Sequence, residues 1–244
     1  MPEFLNEAAV WTLLERVAER VQKANLPGFK ALFVIGSLPG AYYKAGQSDV
    51  DLLALLAGSR PDVSDYRKQA ELLESLLGEI PEGLEVDILP RYESDLAVDQ
   101  KTGLYLRPDL VARLLVQSRL LTGSYDLSQL RMPGPADFQA DFPSQLRWWK
   151  ANHGAVEACV AHLQAKYLLL VLRTWLVVLH GQLVYNKIEL IATYRQASPD
   201  RALPQALERF LAEYLEAEPI QPGYEKELLR FCGQLSTEIL SLQF

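Results

Sequence analysis

The sequence predicts two domains of different class: an α/β domain to about residue 131, then an all-α helical bundle from about residue 136. Three observations carry that expectation. Residues 31–57 set two apolar runs around a Gly-Ser turn and an Asp-x-Asp pair, a strand–turn–strand pattern. Met132-Pro133-Gly134-Pro135 places two prolines and a glycine in four residues, the strongest break in the chain. Beyond Pro143 the apolar residues recur at helical spacing.

The elements follow in order. In residues 4–23, Val10, Leu13, Leu14, Val17 and Val21 form one helical face, with Glu15, Arg16, Glu19 and Arg20 opposite. Pro27-Gly28 ends that helix. The run Ala31 to Ile35 reads as a strand, and Leu52 to Ala57 as the strand that continues from Asp49-Val50-Asp51. A short helix is expected between them, after Ser37. Residues 65–77 form a second helix with Leu72, Leu73, Leu76 and Leu77 on its apolar face, broken by Gly78, Pro81 and Gly83. Residues 84–89 form a strand in which Glu85 and Asp87 share one face, with Val86 and Ile88 on the other. Residues 108–117 return to helix. In the second half, helices are expected over 143–163, 164–179, 187–195, 203–215 and 224–242.

The stretch around Gly36 carries the chemistry. Two aspartates one residue apart on a strand point to the same face. Asp49 and Asp51 can therefore hold Mg²⁺ together, since that ion takes one or two carboxylates and completes its shell with water and phosphate oxygens. Gly36 lets a phosphate approach the backbone. Ser37 offers a hydroxyl and an amide at the expected helix N-terminus, where anions bind well.

Gly36-Ser37, Gly40, Gly46 and Ser48-Asp49-Val50-Asp51-Leu52 resemble the signature of the nucleotidyltransferase superfamily that includes DNA polymerase beta. Eleven residues separate Ser37 from Asp49, close to the family's spacer. Arg119-Leu120-Leu121-Thr122-Gly123 and Asp126-Leu127 resemble the close of many such domains, with Thr122 where a Tyr is usual. The resemblance implies an α/β (α+β) domain on a small mixed sheet, ATP as nucleotide donor and Mg²⁺ as cofactor. It implies Asp49, Asp51 and Asp87 as metal ligands, with Gly36 and Ser37 on the nucleotide. It also implies a carboxylate from the third strand. Asp87 matches the apolar-Asp-apolar setting of many members, whereas Glu85 matches the Leu-Glu-Val setting of the aminoglycoside adenylyltransferases. Both remain candidates for the third carboxylate or the base.

The second half extends the likeness to those streptomycin and spectinomycin adenylyltransferases. Gly181 to Glu189, GQLVYNKIE, resembles a segment of their helical domain. The resemblance implies that Lys187 contacts ATP phosphates, and Arg173 also falls where that family has an Arg. Asn186 replaces the usual Ser. Arg173 and His180 also fit the loose Arg-His spacing of HEPN ribonuclease toxins, the partners of minimal nucleotidyltransferase antitoxins. Trp148, Trp149 and His153 share one expected helix, and adjacent tryptophans cannot face the same way.

Composition narrows the partners. Net charge is −7, with no long Lys/Arg run, so a nucleic-acid acceptor is not expected. The amino-terminal MPEFLNEAAV has no signal-like apolar core, and a cytoplasmic protein is expected. The longest apolar region, residues 167–179, is interrupted by Arg173, and a buried helix rather than a membrane span is expected. Cys159 and Cys232 read as reduced thiols. The function expected is Mg-dependent transfer of AMP from ATP to a hydroxyl of a small acceptor, with an aminoglycoside foremost, in a cleft between the domains. Glu93, Asp95 and Asp99 are the acids expected to line it for a cationic acceptor. The alternatives are an antitoxin-like enzyme that adenylylates a partner protein, and a non-catalytic nucleotide-binding module.

Overall fold

The computed structural model describes residues 5–46, 48–59, 61–96, 108–200, 202–216, 218 and 220–242. The chain divides into two units, Met1–Pro133 and Gly134–Phe244.

The first unit is built on a four-stranded mixed sheet in the order β3-β2-β1-β4. Strands β1 (Phe29–Ile35) and β2 (Val50–Leu56) pair antiparallel, as do β1 and β4 (Ser118–Gly123). Strand β3 (Val86–Tyr92) runs parallel to β2. A parallel neighbour needs a crossover, and α2 (Val63–Leu77) supplies it. The expectation ended β3 at Leu89, but the strand continues through Pro90 to Tyr92. Proline is tolerated there because β3 is an edge strand, where one side of the backbone owes no ladder bond.

Alternation along the strands makes two cores. Leu32, Val34, Val50, Leu52, Ala54 and Ile88 pack against Val10, Leu14, Val17 and Val21 of α1 (Glu7–Lys23) and Leu73 and Leu77 of α2. Ala31, Phe33, Ile35, Leu53 and Leu55 face the other way, with Leu96 and with Leu114 of α3 (Pro108–Val116). Each fully buried Leu, Val or Phe contributes about 1.5–3 kcal/mol, so strand register is held firmly: a one-residue slip would turn every one of them to the opposite face of the sheet, out of the core it packs in. Helix α1 starts at Glu7 because the Asn6 side chain accepts the Ala9 N–H at 3.0 Å. The expected start, Phe4, lies outside the described residues. Leu72 of α2, expected on the apolar face, is exposed.

The second unit is all-helical: α4 (Pro135–His153), α5 (Ala161–His180), α6 (Lys187–Ala197), α7 (Gln205–Glu216) and α8 (Glu225–Ser241). The first expected helix, 143–163, is replaced by one that starts earlier and stops earlier. Gly134 caps α4, its N–H donating to Asp137 Oδ2 at 2.8 Å, and Gly154 ends it at φ +80°. Pro143 is thus inside α4, not at its start. Helix α5 is the centre of the unit, with Leu168, Leu169, Val171, Leu172, Trp175 and Leu176 buried. It is long and apolar enough to cross a membrane by length and composition, but 61% of its most apolar stretch is buried in the protein. Helix α8 packs Leu228, Phe231, Cys232, Leu235 and Ile239 inward. Two polar ties lock α5 to its neighbours: Trp175 Nε1 donates to Glu238 Oε2 at 2.9 Å, and Tyr224 OH to Gln164 Oε1 at 2.6 Å.

Candidate functional site

Strand β1 ends at Ile35, and the chain turns at Gly36 with φ +92°. An L-residue rarely adopts that conformation. The Gly36 N–H donates to the Gln117 carbonyl at 3.2 Å, which ties the turn to the end of α3. A Cβ built on Gly36 would lie 3.5 Å from Asp51 Oδ2, so this backbone and that carboxylate already face each other closely.

The expected short helix after Ser37 is absent among the described residues. The segment is a hydrogen-bonded turn, with Gly40 N–H donating to Gly36 O at 3.1 Å, Ala41 N–H to Leu38 O at 3.3 Å and Tyr42 N–H to Ser37 O at 3.1 Å. Pro39 brings no N–H, Gly40 is a poor helix former, and Ala41 sits at φ +59°. Ser37 is therefore not at a helix N-terminus. Its hydroxyl is buried and has no hydrogen-bond partner. Leaving such a group unsatisfied costs about 1–3 kcal/mol, and a ligand oxygen would remove that cost.

The carboxylates come from the adjacent strands. Asp51 pairs with Ile35 on one side and with Asp87 on the other. By alternation Asp51 and Asp87 share the sheet face of Phe33, Ile35 and Leu53. Neighbouring strands lie about 4.8 Å apart, so these two aspartates stand side by side. One residue outside the ladder, the Glu85 carbonyl accepts the Val50 N–H at 2.9 Å. Continuing that register sets Glu85 level with Asp49. The structure thus separates the two third-strand acids: Asp87 shares a rung with Asp51, and Glu85 sits nearer the strand mouth. Asp51 is half-buried, whereas Asp49, Asp87 and Glu85 are exposed.

Among the described residues, no three His, Cys, Asp or Glu groups converge into a set able to hold a metal ion. The register sets these acids in pairs across neighbouring strands, Asp51 with Asp87 and Asp49 with Glu85. The pairs do fit Mg²⁺ in kind, because a hard cation needs only one or two carboxylates when phosphate oxygens fill the remaining positions.

The acidic segment expected to line a cleft is otherwise engaged. Asp95 is buried and accepts the Tyr92 N–H at 2.9 Å, capping the short 3-10 turn that follows β3. Glu93 accepts the Gly58 N–H at 3.0 Å and lies 3.6 Å from Lys30. Both serve the loops around β3, and a local hydrogen-bond offer of this kind is common for acids beside a turn. Asp99 lies outside the described residues.

In the second unit, Asn186 caps α6, its side chain accepting from Ile188 N at 3.0 Å and Glu189 N at 3.3 Å. That fixes Lys187 at the first helical position. Its ammonium donates to Tyr214 OH at 3.2 Å and lies 5.2 Å from that ring's centre. Arg173 donates from Nε to the Val184 carbonyl at 3.1 Å and lies 5.0 Å from the centre of the Tyr185 ring, clipping the loop that leads to Lys187. His180 packs on Trp175 at 4.7 Å. Of the paired tryptophans, Trp149 is buried beside Tyr167 at 5.2 Å, and both Trp148 and Trp149 contact His153.

Two residues of the site escaped the sequence reading. Tyr42 OH donates to Gln117 Oε1 at 2.9 Å, bridging the turn to α3 across a separation of 75 residues. No local signal in the sequence pairs them.

The fold matches that of spectinomycin adenyltransferase AAD(9) from Enterococcus faecialis, solved with ATP and spectinomycin. The TM-score is 0.63 and the identity 13%, over 94% of this chain and 98% of that one. At that identity the likeness is one of fold. A toxin–antitoxin structure with AMP-PNP and a mutant of the toxin–antitoxin MntA-HpeT also match, each at 17% identity over 61% of this chain and 93% of theirs. Their TM-scores, 0.28 and 0.29, carry no argument. No family model matches the sequence, and no curated protein sequence matches it.

Proposed function

We propose that this protein is a nucleotidyltransferase that moves AMP from ATP to a hydroxyl of a small acceptor and releases pyrophosphate. The observation that carries the reading is the Gly36 turn, which faces the Asp51 carboxylate and holds the buried, unsatisfied Ser37 hydroxyl. A phosphate oxygen answers both features at once. It can approach the bare glycine and accept from the hydroxyl.

The acceptor oxygen forms a bond to the α-phosphorus as the bond to the β-phosphate breaks. The acceptor's proton passes to a carboxylate, and pyrophosphate carries the electron pair away. Asp87 of β3 and Glu85 just before it, both exposed, are the two candidate bases. Asp49 and Asp51 would hold Mg²⁺, with Asp87 as the further ligand. When bound, the ion supplies neutralisation of the triphosphate charge. Gly36 and Ser37 position the phosphates, and the sequence resemblance supports Lys187 as a further phosphate contact. Such chemistry asks mainly for positioning and charge stabilisation.

An aminoglycoside-type acceptor is the leading class, a reading supported by the sequence resemblance and by the likeness in fold to a spectinomycin adenyltransferase. Fold alone does not fix an acceptor, so the assay must. The purified protein is given labelled ATP and Mg²⁺ with spectinomycin, with streptomycin and separately with a cell lysate. Label on an antibiotic, lost with EDTA and in Asp51→Asn, is the expected result. Label only on a protein band refutes the small-molecule acceptor. Mg·ATP binding with no transfer anywhere refutes the enzyme and leaves a nucleotide-binding module.

A further inference from the structure

We infer that Tyr42 and Gln117 form a clamp that holds the Gly36–Tyr42 turn in its phosphate-accepting shape, making both of them positioning residues for the nucleotide. The inference rests on the nucleotide reading given above. Gln117 grips the turn twice. Its backbone carbonyl accepts the Gly36 N–H at 3.2 Å, and its side-chain Oε1 accepts Tyr42 OH at 2.9 Å. One residue therefore holds both ends of the segment that carries Ser37. Gln117 is itself fixed, because its N–H donates to the Arg113 carbonyl at 2.8 Å in the last turn leading from α3.

The turn needs such a brace. It has positive φ at Gly36 and at Ala41, and a proline between them. No helix or strand runs through residues 37–46. Within the turn, Gly40 N–H donates to Gly36 O at 3.1 Å and Tyr42 N–H to Ser37 O at 3.1 Å. The Tyr42 ring lies against Gly40 so closely that a Cβ on Gly40 would stand 2.4 Å from Tyr42 Cε1. Gly40 thus makes room for the ring, and the ring's hydroxyl reaches Gln117. Without the phenol–amide bond the turn keeps its sequence, its ring and the Gly36–Gln117 backbone bond, but its Tyr42 end loses this tie to Gln117. Ser37 would then sample other positions, and binding a triphosphate would carry the cost of ordering the turn again.

The test uses the full chain and calorimetric binding of Mg·ATP. Tyr42→Phe keeps the ring on Gly40 and removes the hydroxyl. Gln117→Met keeps length and the backbone carbonyl and removes the acceptor. Each is expected to weaken Mg·ATP binding about three- to tenfold. The double variant should bind no more weakly than the weaker single variant, because both singles remove the same bond. Gly58→Ala serves as a control for destabilisation of the same unit, at a glycine with φ +76° and open space around it. It should lower the melting temperature without loosening Mg·ATP. Additive losses in the double variant overturn the clamp. So does a weakening in Tyr42→Phe and Gln117→Met no greater than Gly58→Ala shows, as does Mg·ATP binding as tight as wild type. Failure of the wild-type protein to bind Mg·ATP instead overturns the nucleotide reading itself.

Discussion

Replacing Gly36 with alanine separates backbone strain from loss of the site. At φ +92° an alanine is strained, and holding a non-glycine residue in so sparsely populated a region costs about 1–3 kcal/mol. The new methyl would lie 3.5 Å from Asp51 Oδ2, an ordinary contact, so no clash adds to the strain. The methyl does occupy the space through which a phosphate oxygen would approach, and it covers one side of the Asp51 carboxylate. Losing one charge-assisted phosphate contact removes about 1.5–3 kcal/mol of binding, which is a Kd raised roughly tenfold or more. Gly58→Ala carries comparable strain at φ +76° with nothing within 4 Å of the new methyl. Urea unfolding of both variants should give similar losses of stability, and calorimetry should show weakened Mg·ATP binding for Gly36→Ala alone. Equal Mg·ATP affinity in the two variants would refute the assignment of the Gly36 turn to the triphosphate.

Other expectations follow from the same geometry. Gly123→Ala should be far more damaging than either, by roughly 4 kcal/mol or more, because its methyl would stand 2.2 Å from the Lys30 carbonyl where β4 meets β1; soluble yield and urea unfolding check this. Asp87→Asn should lower both turnover and the Mg²⁺ dependence of ATP binding, while Glu85→Gln leaves that dependence unchanged, since only Asp87 shares a rung with Asp51; metal titration of the two variants distinguishes them. Lys187→Ala should weaken ATP binding by about 1.5–3 kcal/mol if its ammonium meets a phosphate, with unaltered affinity refuting that role. Alkaline titration should destabilise the second unit. Burial pushes the Cys232 thiol up from 9.0 to about 12, and burial followed by the charge of Cys232 pushes Tyr167 up from 10.0 to about 12. The unfolded chain loses those protons first, so both contributions are complete below about pH 9 and are lost progressively as pH rises towards 12. Urea unfolding from pH 8 to 11 should fall more steeply in wild type than in Cys232→Ala.

Much of this protein is legible along the chain because its signals are local. Helical periodicity marked α1 and α8, and the apolar runs on either side of Gly36-Ser37 and Asp49-Val50-Asp51 marked β1 and β2. Alternation alone put Asp49 and Asp51 on one face, since side chains along a strand repeat every two residues. The Asn186 cap is equally local, because it depends on neighbours two and three residues away. Tertiary structure decided what depends on distant partners. The Pro39-Gly40 pair could be weighed against a helix, but the turn that replaced it is braced from Gln117, 75 residues from Tyr42. Asp95 and Glu93 looked free to meet a ligand until the fold supplied Tyr92, Gly58 and Lys30 as their partners. The choice between Asp87 and Glu85 as the neighbour of Asp51 belongs to strand register. Both acids lie on one face by alternation, and only the pairing of β2 with β3, fixed by burial of Val50, Leu52 and Ile88 on the opposite face, sets Asp87 beside Asp51.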